Sequence, residues 1–97
     1  MPGYTYILKC ADDSYYTGST IDIKKRLEEH KEGRGANHTA KYGPVELVYL
    51  EVYSHVYKAF RREKQIQGWP RQKKETLISS EFNKLVEYSK AFWQREN

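Results

Sequence analysis

Hydrophobic and polar residues alternate near the start of the chain in the manner of two short β-strands. Residues 4–10 and 15–19 are rich in tyrosine, threonine and aliphatic side chains, which favour strands. Residues 11–14, which lie between them, supply turn residues. This segment therefore predicts an antiparallel β-hairpin.

Further along the chain, the hydrophobic period lengthens to that of helices, interrupted by one more strand. Asp22 and Ser54 are the predicted helix N-caps, and Gly33 and Gly68 are the predicted helix stops. The apolar density of the strand favours a central place in a sheet. The predicted elements are a helix over 23–32, a helical turn around 38–41, the strand over 45–53, helices over 55–67 and 71–79, and a C-terminal helix over about 81–95.

Length and composition are those of one small domain. The 97 residues contain no repeat or linker that would divide them, so a single domain over 1–97 is predicted. The single cysteine, Cys10, excludes an internal disulfide and indicates a reducing compartment. Neither a signal peptide nor an apolar stretch of bilayer length is apparent, so we expect a soluble cytoplasmic protein with no membrane partner.

The charge balance is mildly basic. Seventeen lysines and arginines stand against thirteen acidic residues, which gives a net charge of +4. This excess is compatible with a polyanionic partner such as a nucleic acid, although many proteins of similar charge bind none.

Two basic side chains of the first predicted helix share a side with its apolar residues. On a helical wheel, Arg26 and His30 lie beside Ile23 and Leu27, directly after the hairpin. An inward guanidinium offers fixed, permanently charged donors to the oxygens of an anion such as phosphate. A partly buried arginine paired with a local carboxylate explains the same pattern, so both interpretations stay open here.

One carboxylate of the next long helix lies at the centre of an apolar face. That residue is Glu63, and a carboxylate in such a place is costly unless it is paired or binds a metal. The apolar members of the face are Val56, Ala59, Phe60 and Ile66. Two hypotheses follow: a buried ion pair with Arg26 or another basic residue, and a metal site.

Taken together, these polar residues have the composition of a phosphodiester-cleaving site. Two strands and two helices contribute them, and all of them could face one concave surface: Tyr6, Tyr16, Arg26, His30 and Glu63. Such a reaction needs a carboxylate to hold a cation, an arginine to offset developing charge, and groups that move protons.

The order of these motifs resembles that of the GIY-YIG nuclease superfamily, especially its small stand-alone members. The resemblance covers residues 4–78, with Tyr4-Thr5-Tyr6 standing for the first triplet and Tyr16-Thr17-Gly18 for the second. Tyr4 replaces the glycine of the first triplet and Thr17 an aliphatic residue of the second, and neither change removes a group that does chemistry. The matching segments are 16–20, 25–30, Gly35-Ala36 with Thr39, and 61–69.

The resemblance implies both a fold and a set of site residues. The implied fold is α+β, a small antiparallel three-stranded sheet flanked by helices in the order β-β-α-β-α-α, with the active site across the first two strands. The implied site residues are Tyr6 and Tyr16 as the paired tyrosines, Gly18 as a tight backbone position, Arg26 facing the phosphate, His30 as the next polar position of the helix, Glu63 as the metal ligand, and His38 near the site.

The function implied by the resemblance is metal-dependent endonuclease cleavage of DNA. Glu63 is expected to hold one Mg²⁺ or Mn²⁺, with water and phosphate oxygens as the other ligands. Either Tyr6 or His30 is expected to be the general base, since a phenol titrates at about 10 and an imidazole at about 6.5. DNA is the expected partner, bound through its backbone with low sequence specificity, and a protein partner that supplies specificity is compatible with this prediction.

Two other interpretations compete with the enzyme. The chain could be a nucleic-acid-binding module that keeps the nuclease fold with little activity, bound through its scattered lysines and arginines. A zinc site is the weaker alternative, because Cys10, His30, His38 and His55 lack the paired short spacings of zinc ligands.

Overall fold

The structure, a computed structural model, describes residues 1–80 and has seven elements. The α+β class and the three-stranded antiparallel sheet predicted from the sequence are confirmed. The C-terminal helix predicted over about 81–95 lies outside the described residues. The elements are β1 (Gly3–Cys10), β2 (Tyr15–Thr20), α1 (Ile23–Lys31), α2 (Asn37–Tyr42), β3 (Val45–Tyr53), α3 (Val56–Gln67) and α4 (Arg71–Ser80).

The sheet has the strand order β2-β1-β3, so β1 is its central strand. The prediction that the strand over 45–53 is central is wrong. Leu47 and Leu50 of β3 pack into one core cluster and Tyr49 packs into another. Because both faces of β3 are covered, its sequence has the apolar density of a central strand although it lies at the edge of this sheet.

Alternation along β1 sends its side chains to two different helices. Tyr6 and Leu8 pack with Ile23 and Leu27 of α1. Ile7 packs with Ile66 of α3 on the opposite face. Since successive side chains of a strand point to opposite faces, β1 is buried on both sides and anchors α1 and α3 to the same sheet.

The helix caps match the predictions in one case and depart from them in another. The Asp22 carboxylate accepts from the Lys25 backbone N–H at 3.1 Å, as expected of an N-cap. The cap of α3 is His55, not Ser54, because the His55 Nδ1 accepts from the Tyr57 backbone N–H at 3.0 Å. Histidine is an uncommon cap, so residue preference alone favoured the serine.

A half-buried polar network connects α3 to β3. The Glu51 carboxylate accepts from Arg62 Nε at 3.0 Å, from the Tyr53 hydroxyl at 2.7 Å, and from the Tyr49 hydroxyl. Burial alone would raise the pKa of Glu51, but these donors outweigh it and hold the pKa below its usual value. The network therefore fixes the rotation of α3 about its axis, and with it the position of Glu63.

Candidate active site

The most buried polar pair of the predicted site is formed by Tyr6 and His30. Each side chain is 1% exposed, and the Tyr6 hydroxyl lies 2.8 Å from His30 Nε2. Tyr6 comes from the central strand, and His30 from the last turn of α1. The helical spacing that placed His30 on the apolar side of α1 therefore predicted its direction correctly.

A neighbouring threonine determines which of these two groups carries the proton. The Thr39 hydroxyl lies 2.7 Å from His30 Nδ1 and donates to the Ala36 carbonyl at 3.0 Å. We assign the hydrogen of His30 to Nδ1, because Thr39 accepts from His30 when the single proton of its hydroxyl is directed to the Ala36 carbonyl. His30 Nε2 is then an acceptor, and the Tyr6 hydroxyl donates to it.

Burial keeps both members of the pair neutral near pH 7. It lowers the pKa of His30 to about 4, helped by the nearby positive charge of Arg26. It also raises the pKa of Tyr6 to about 12, against the opposing effect of Arg26 and with smaller contributions from Tyr16 and Glu63. Tyr6 therefore keeps its proton, and the His30 imidazole is neutral.

Two glycines leave the space that this pair occupies. A Cβ atom at Gly18 would lie 2.5 Å from the Tyr6 hydroxyl oxygen and 3.0 Å from the Tyr16 ring. A Cβ atom at Gly35 would lie 2.3 Å from His30 Nδ1. The distances of 2.5 Å at Gly18 and 2.3 Å at Gly35 are too short for real contacts, so neither position has room for a side chain. The tight backbone position predicted at Gly18 thus has a physical cause in the Tyr6 ring.

Tyr16 packs beside the Tyr6–His30 pair, and His38 packs in turn against Tyr16. The half-buried Tyr16 ring lies with its centroid 5.2 Å from that of His30 and 6.4 Å from that of Tyr6. His38 stacks on Tyr16 at 6.2 Å. His38 therefore contacts the site through Tyr16 and not through Tyr6 or His30 in these interactions.

Arg26 forms an ion pair with a nearby carboxylate and also remains accessible to an anionic ligand, so it has features of both predicted roles. Its Nη1 lies 3.4 Å from the Glu29 carboxylate, which is a local ion pair. Its side chain keeps 30% of its surface exposed, and its charge influences both Tyr6 and His30. A long, partly solvated ion pair contributes little to stability, so the guanidinium can exchange Glu29 for an anionic ligand at small cost.

Glu63 is buried, 8% exposed, and approaches the site along β2. One carboxylate oxygen accepts from the Ser19 hydroxyl at 2.6 Å, and the other accepts from Gln67 Nε2 at 2.8 Å. Glu63 forms an ion pair with Lys64, with Nζ at 3.3 Å, and not with Arg26; because Lys64 is exposed, this is not the buried ion pair predicted as one alternative. The Lys64 side chain is 56% exposed, so this cation is held loosely.

The predicted site residues divide between the two faces of the sheet. Tyr6 pairs across the strands with Gly18 on the α1 face, whereas Thr5 pairs with Ser19 on the α3 face, where Glu63 lies. The two groups meet at β2, the outer strand of the hairpin. Glu63 nevertheless contributes to the raised pKa of Tyr6, so the two groups influence each other electrostatically.

The residues around Glu63 fit one hard divalent cation. A carboxylate is the oxygen ligand that Mg²⁺ and Mn²⁺ prefer, and one carboxylate suits an ion that keeps water and phosphate oxygens as its remaining ligands. Ser19 and Gln67 are neutral donors that orient the carboxylate; Oε1 retains a lone pair, and Oε2 regains one when the exposed Lys64 moves away. A two-metal arrangement would need further acidic ligands.

Sequence reasoning missed the side chains that orient the site. Thr39, Ser19 and Gln67 each bond a predicted site residue, yet nothing in hydrophobic periodicity distinguishes them from other polar residues. The available signal was the presence of Ser19, Thr39 and Gln67 inside the segments that resemble the nuclease superfamily.

Comparison with known proteins gives a family match and several similar relatives. The sequence-family model of the GIY-YIG catalytic domain matches residues 2–76 of this chain. A UPF0213 protein of Clostridium perfringens is 45% identical over 87 residues, which is 90% of this chain and 94% of that protein. A UPF0213 protein of Natronomonas pharaonis is 42% identical over 78 residues, covering 80% of this chain and 92% of that protein.

Solved structures give the same result. The solution NMR structure of a UPF0213 protein from Bacillus halodurans has a TM-score of 0.59 and 37% identity, covering 93% of this chain and 96% of that one. Within residues 1–80, no helix is both long and apolar enough to cross a membrane. The family model, the similar relatives and the shared fold agree, and the chain belongs to the GIY-YIG family, among its UPF0213 proteins.

Proposed function

We propose that this protein is a metal-dependent endonuclease that hydrolyses phosphodiester bonds in DNA. The observation that carries the proposal is the 2.8 Å contact between the Tyr6 hydroxyl and His30 Nε2, two side chains that are each 1% exposed. Membership of the GIY-YIG family supports nuclease-type chemistry on a nucleic acid and the use of a divalent cation. DNA as the substrate, and Mg²⁺ or Mn²⁺ as the ion, belong to the proposal.

In this proposal, Tyr6 and His30 act as one proton-accepting unit. Both ring nitrogens of His30 are engaged, by Tyr6 and by Thr39, so His30 receives a proton through Tyr6 and not directly from water. As Tyr6 takes a proton from the attacking water, its own proton passes 2.8 Å to His30 Nε2. The nearby Arg26 charge favours the phenolate character that develops on Tyr6.

Arg26 and Glu63 are assigned to the phosphate. Arg26 leaves its long contact with Glu29 and donates to phosphate oxygens, where it offsets negative charge in the transition state. Glu63 would hold the cation, which supplies positive charge against the scissile phosphate when bound. Lys64 is exposed and can move from the carboxylate as the cation binds.

A cleavage assay tests the proposal. Purified protein is incubated with duplex, flap, branched and single-stranded DNA in Mg²⁺, in Mn²⁺ and in chelator, and Glu63→Gln is compared with Glu28→Gln. Glu28 is an exposed carboxylate of α1, so its substitution makes the same change of charge away from the site. We expect metal-dependent cleavage that Glu63→Gln abolishes and Glu28→Gln leaves intact, with both circular dichroism spectra unchanged.

Three outcomes contradict the proposal in different ways. Cleavage by Glu63→Gln at the wild-type rate removes the metal assignment. Unfolding of Glu63→Gln indicates that the carboxylate serves mainly to stabilise the fold through its hydrogen bonds with Ser19 and Gln67. Salt-sensitive DNA binding without cleavage of any substrate favours the binding module over the enzyme.

A further inference from the structure

A second group of metal-binding side chains lies at the tip of the β1–β2 hairpin, away from Glu63. One ligand atom from each of Cys10, Asp12 and His38 lies within 4.8 Å of the other two. Cys10 ends β1, Asp12 lies in the turn, and His38 lies in the first turn of α2. The chain spacing between Cys10 and His38 resembles no common zinc motif, which is why the sequence disfavoured a zinc site.

Two of the three ligands are already held in place. Cys10 is 4% exposed at the end of the central strand. The His38 ring is flanked by Tyr16 at 6.2 Å and by Tyr42 at 4.9 Å between centroids, and neither neighbour is a charged group. Such packing limits the freedom that these side chains would lose on binding an ion.

The third ligand can move toward the other two. The Asp12 side chain is exposed, and its carboxylate accepts from the Ser14 backbone N–H at 3.1 Å and from the Ser14 hydroxyl at 2.5 Å. The same hydroxyl lies 2.7 Å from His38 Nε2. Since ligand atoms of a tetrahedral zinc site lie roughly 3–4 Å apart, a contraction on the order of 1 Å suffices, with Ser14 remaining as an outer hydrogen-bond partner.

The ligand types identify the ion. A thiolate, an imidazole and a carboxylate suit Zn²⁺, whereas Mg²⁺ and Mn²⁺ prefer ligand sets made of oxygen. We propose that Cys10, Asp12 and His38 bind one Zn²⁺, with a water molecule as the fourth ligand. On binding, the Cys10 thiol releases its proton to solvent, and a zinc–sulfur bond forms.

The position of this site links two parts of the fold that carry catalytic groups. The ion would connect the hairpin, which bears Tyr6 and Tyr16, to α2, which bears Thr39 directly after His38. Zinc would therefore stabilise α2 against the hairpin. This role does not depend on the proposed nuclease activity.

Metal titration of the full chain tests the proposal without DNA. After treatment with chelator and its removal, the protein is titrated with Zn²⁺, with Mg²⁺, and with Co²⁺ as a spectroscopic probe. We expect one equivalent of Zn²⁺ to raise the melting temperature, any smaller rise given by Mg²⁺ to persist in Asp12→Asn because it arises at Glu63, and Co²⁺ to give a thiolate-to-cobalt charge-transfer band in the near ultraviolet.

Variants separate this site from other sites in the chain. Asp12→Asn, His38→Gln and Cys10→Ser should each weaken Zn²⁺ binding by more than about tenfold. Asp13→Asn and His55→Gln, matched in residue type but outside the cluster, should bind Zn²⁺ like wild type. Because Cys10 is buried, the exposed Asp12→Asn is decisive if Cys10→Ser fails to fold. No stoichiometric Zn²⁺ binding, or binding unaffected by Asp12→Asn and His38→Gln, overturns the proposal.

Discussion

At the scale of single residues, the Thr39 hydroxyl fixes the chemistry of the buried pair. It forces the hydrogen of His30 onto Nδ1, so that Nε2 faces Tyr6 as an acceptor. Without this hydroxyl, the Nδ1 hydrogen of His30 loses its acceptor, and the preference for this tautomer is weakened. Thr39 is therefore a positioning residue that acts on the reaction through His30.

We expect Thr39→Val to slow cleavage and destabilise the fold, while Thr39→Ser keeps most of both. Valine matches the shape of threonine but leaves the His30 Nδ1 hydrogen without an acceptor, which costs about 1–3 kcal/mol of unfolding free energy. Nitrogen chemical shifts of the imidazole report the tautomer directly. A Thr39→Val protein with the wild-type tautomer and cleavage rate would remove this role.

The lowered pKa of His30 predicts a dependence of stability on pH. The unfolded histidine titrates near 6.5 and the folded one near 4. Between these values the unfolded state binds the extra proton, so the stabilisation is complete above pH 6.5 and is lost as the pH falls toward 4. The loss amounts to about 3 kcal/mol at most.

Denaturant unfolding at several pH values measures this slope. The control is His30→Gln, which removes the titrating group and should flatten the dependence between pH 6.5 and 5, where carboxylates contribute little. Parallel slopes for the two proteins would mean that His30 protonates within the fold as readily as outside it.

At the scale of elements, the site depends on how closely β1 and β2 approach. The Tyr6 hydroxyl lies where any side chain at Gly18 would stand. We expect Gly18→Ala to displace Tyr6, to reduce unfolding free energy by about 1–3 kcal/mol through overpacking, and to lower cleavage.

The matched control for this substitution is Gly68→Ala. Gly68 has an ordinary right-handed conformation, and a Cβ atom there would meet only the Gln65 carbonyl at 3.6 Å. Its replacement should leave stability and cleavage near wild type. Equal tolerance at both positions would show that β2 shifts away from β1 without loss of the site.

The elements also show what the sequence could and could not predict. Periodicity found the hairpin, α1 and α3, and it directed His30 and Glu63 inward, because each lies at fixed spacing from buried aliphatic residues. The same reasoning placed Phe60 on the buried face of α3, yet this ring is 47% exposed beside Lys64. Contacts between different elements, such as that of Thr39 with His30, cannot be predicted from hydrophobic periodicity, because the period describes only residues within one element.

At the scale of the whole molecule, the small net charge limits how DNA is held. A charge of +4 allows only a few phosphates to be neutralised. We expect weak, sequence-tolerant binding with a log–log salt slope no steeper than about −4. Titrations of the Glu63→Gln protein, in metal-free buffer at several salt concentrations, on two unrelated duplexes of equal length measure it.

The outcome of these titrations bears on specificity. Strong preference for one duplex would indicate base-edge contacts that no described segment explains. Affinity that does not change with salt would exclude the phosphate backbone as the main contact. Weak, uniform binding leaves room for a protein partner to supply specificity.

The central place of β1 has a consequence for how the molecule folds. Gly3 pairs with Tyr53 and Cys10 with Val45, so the sheet closes only when the chain loops back over the first helix. Without β3, the strand β1 is paired only with β2, and an isolated two-stranded hairpin is marginally stable in water. Closing so long a loop slows folding. Catalytic competence should therefore appear together with the complete sheet, and a partly folded chain should not nick DNA.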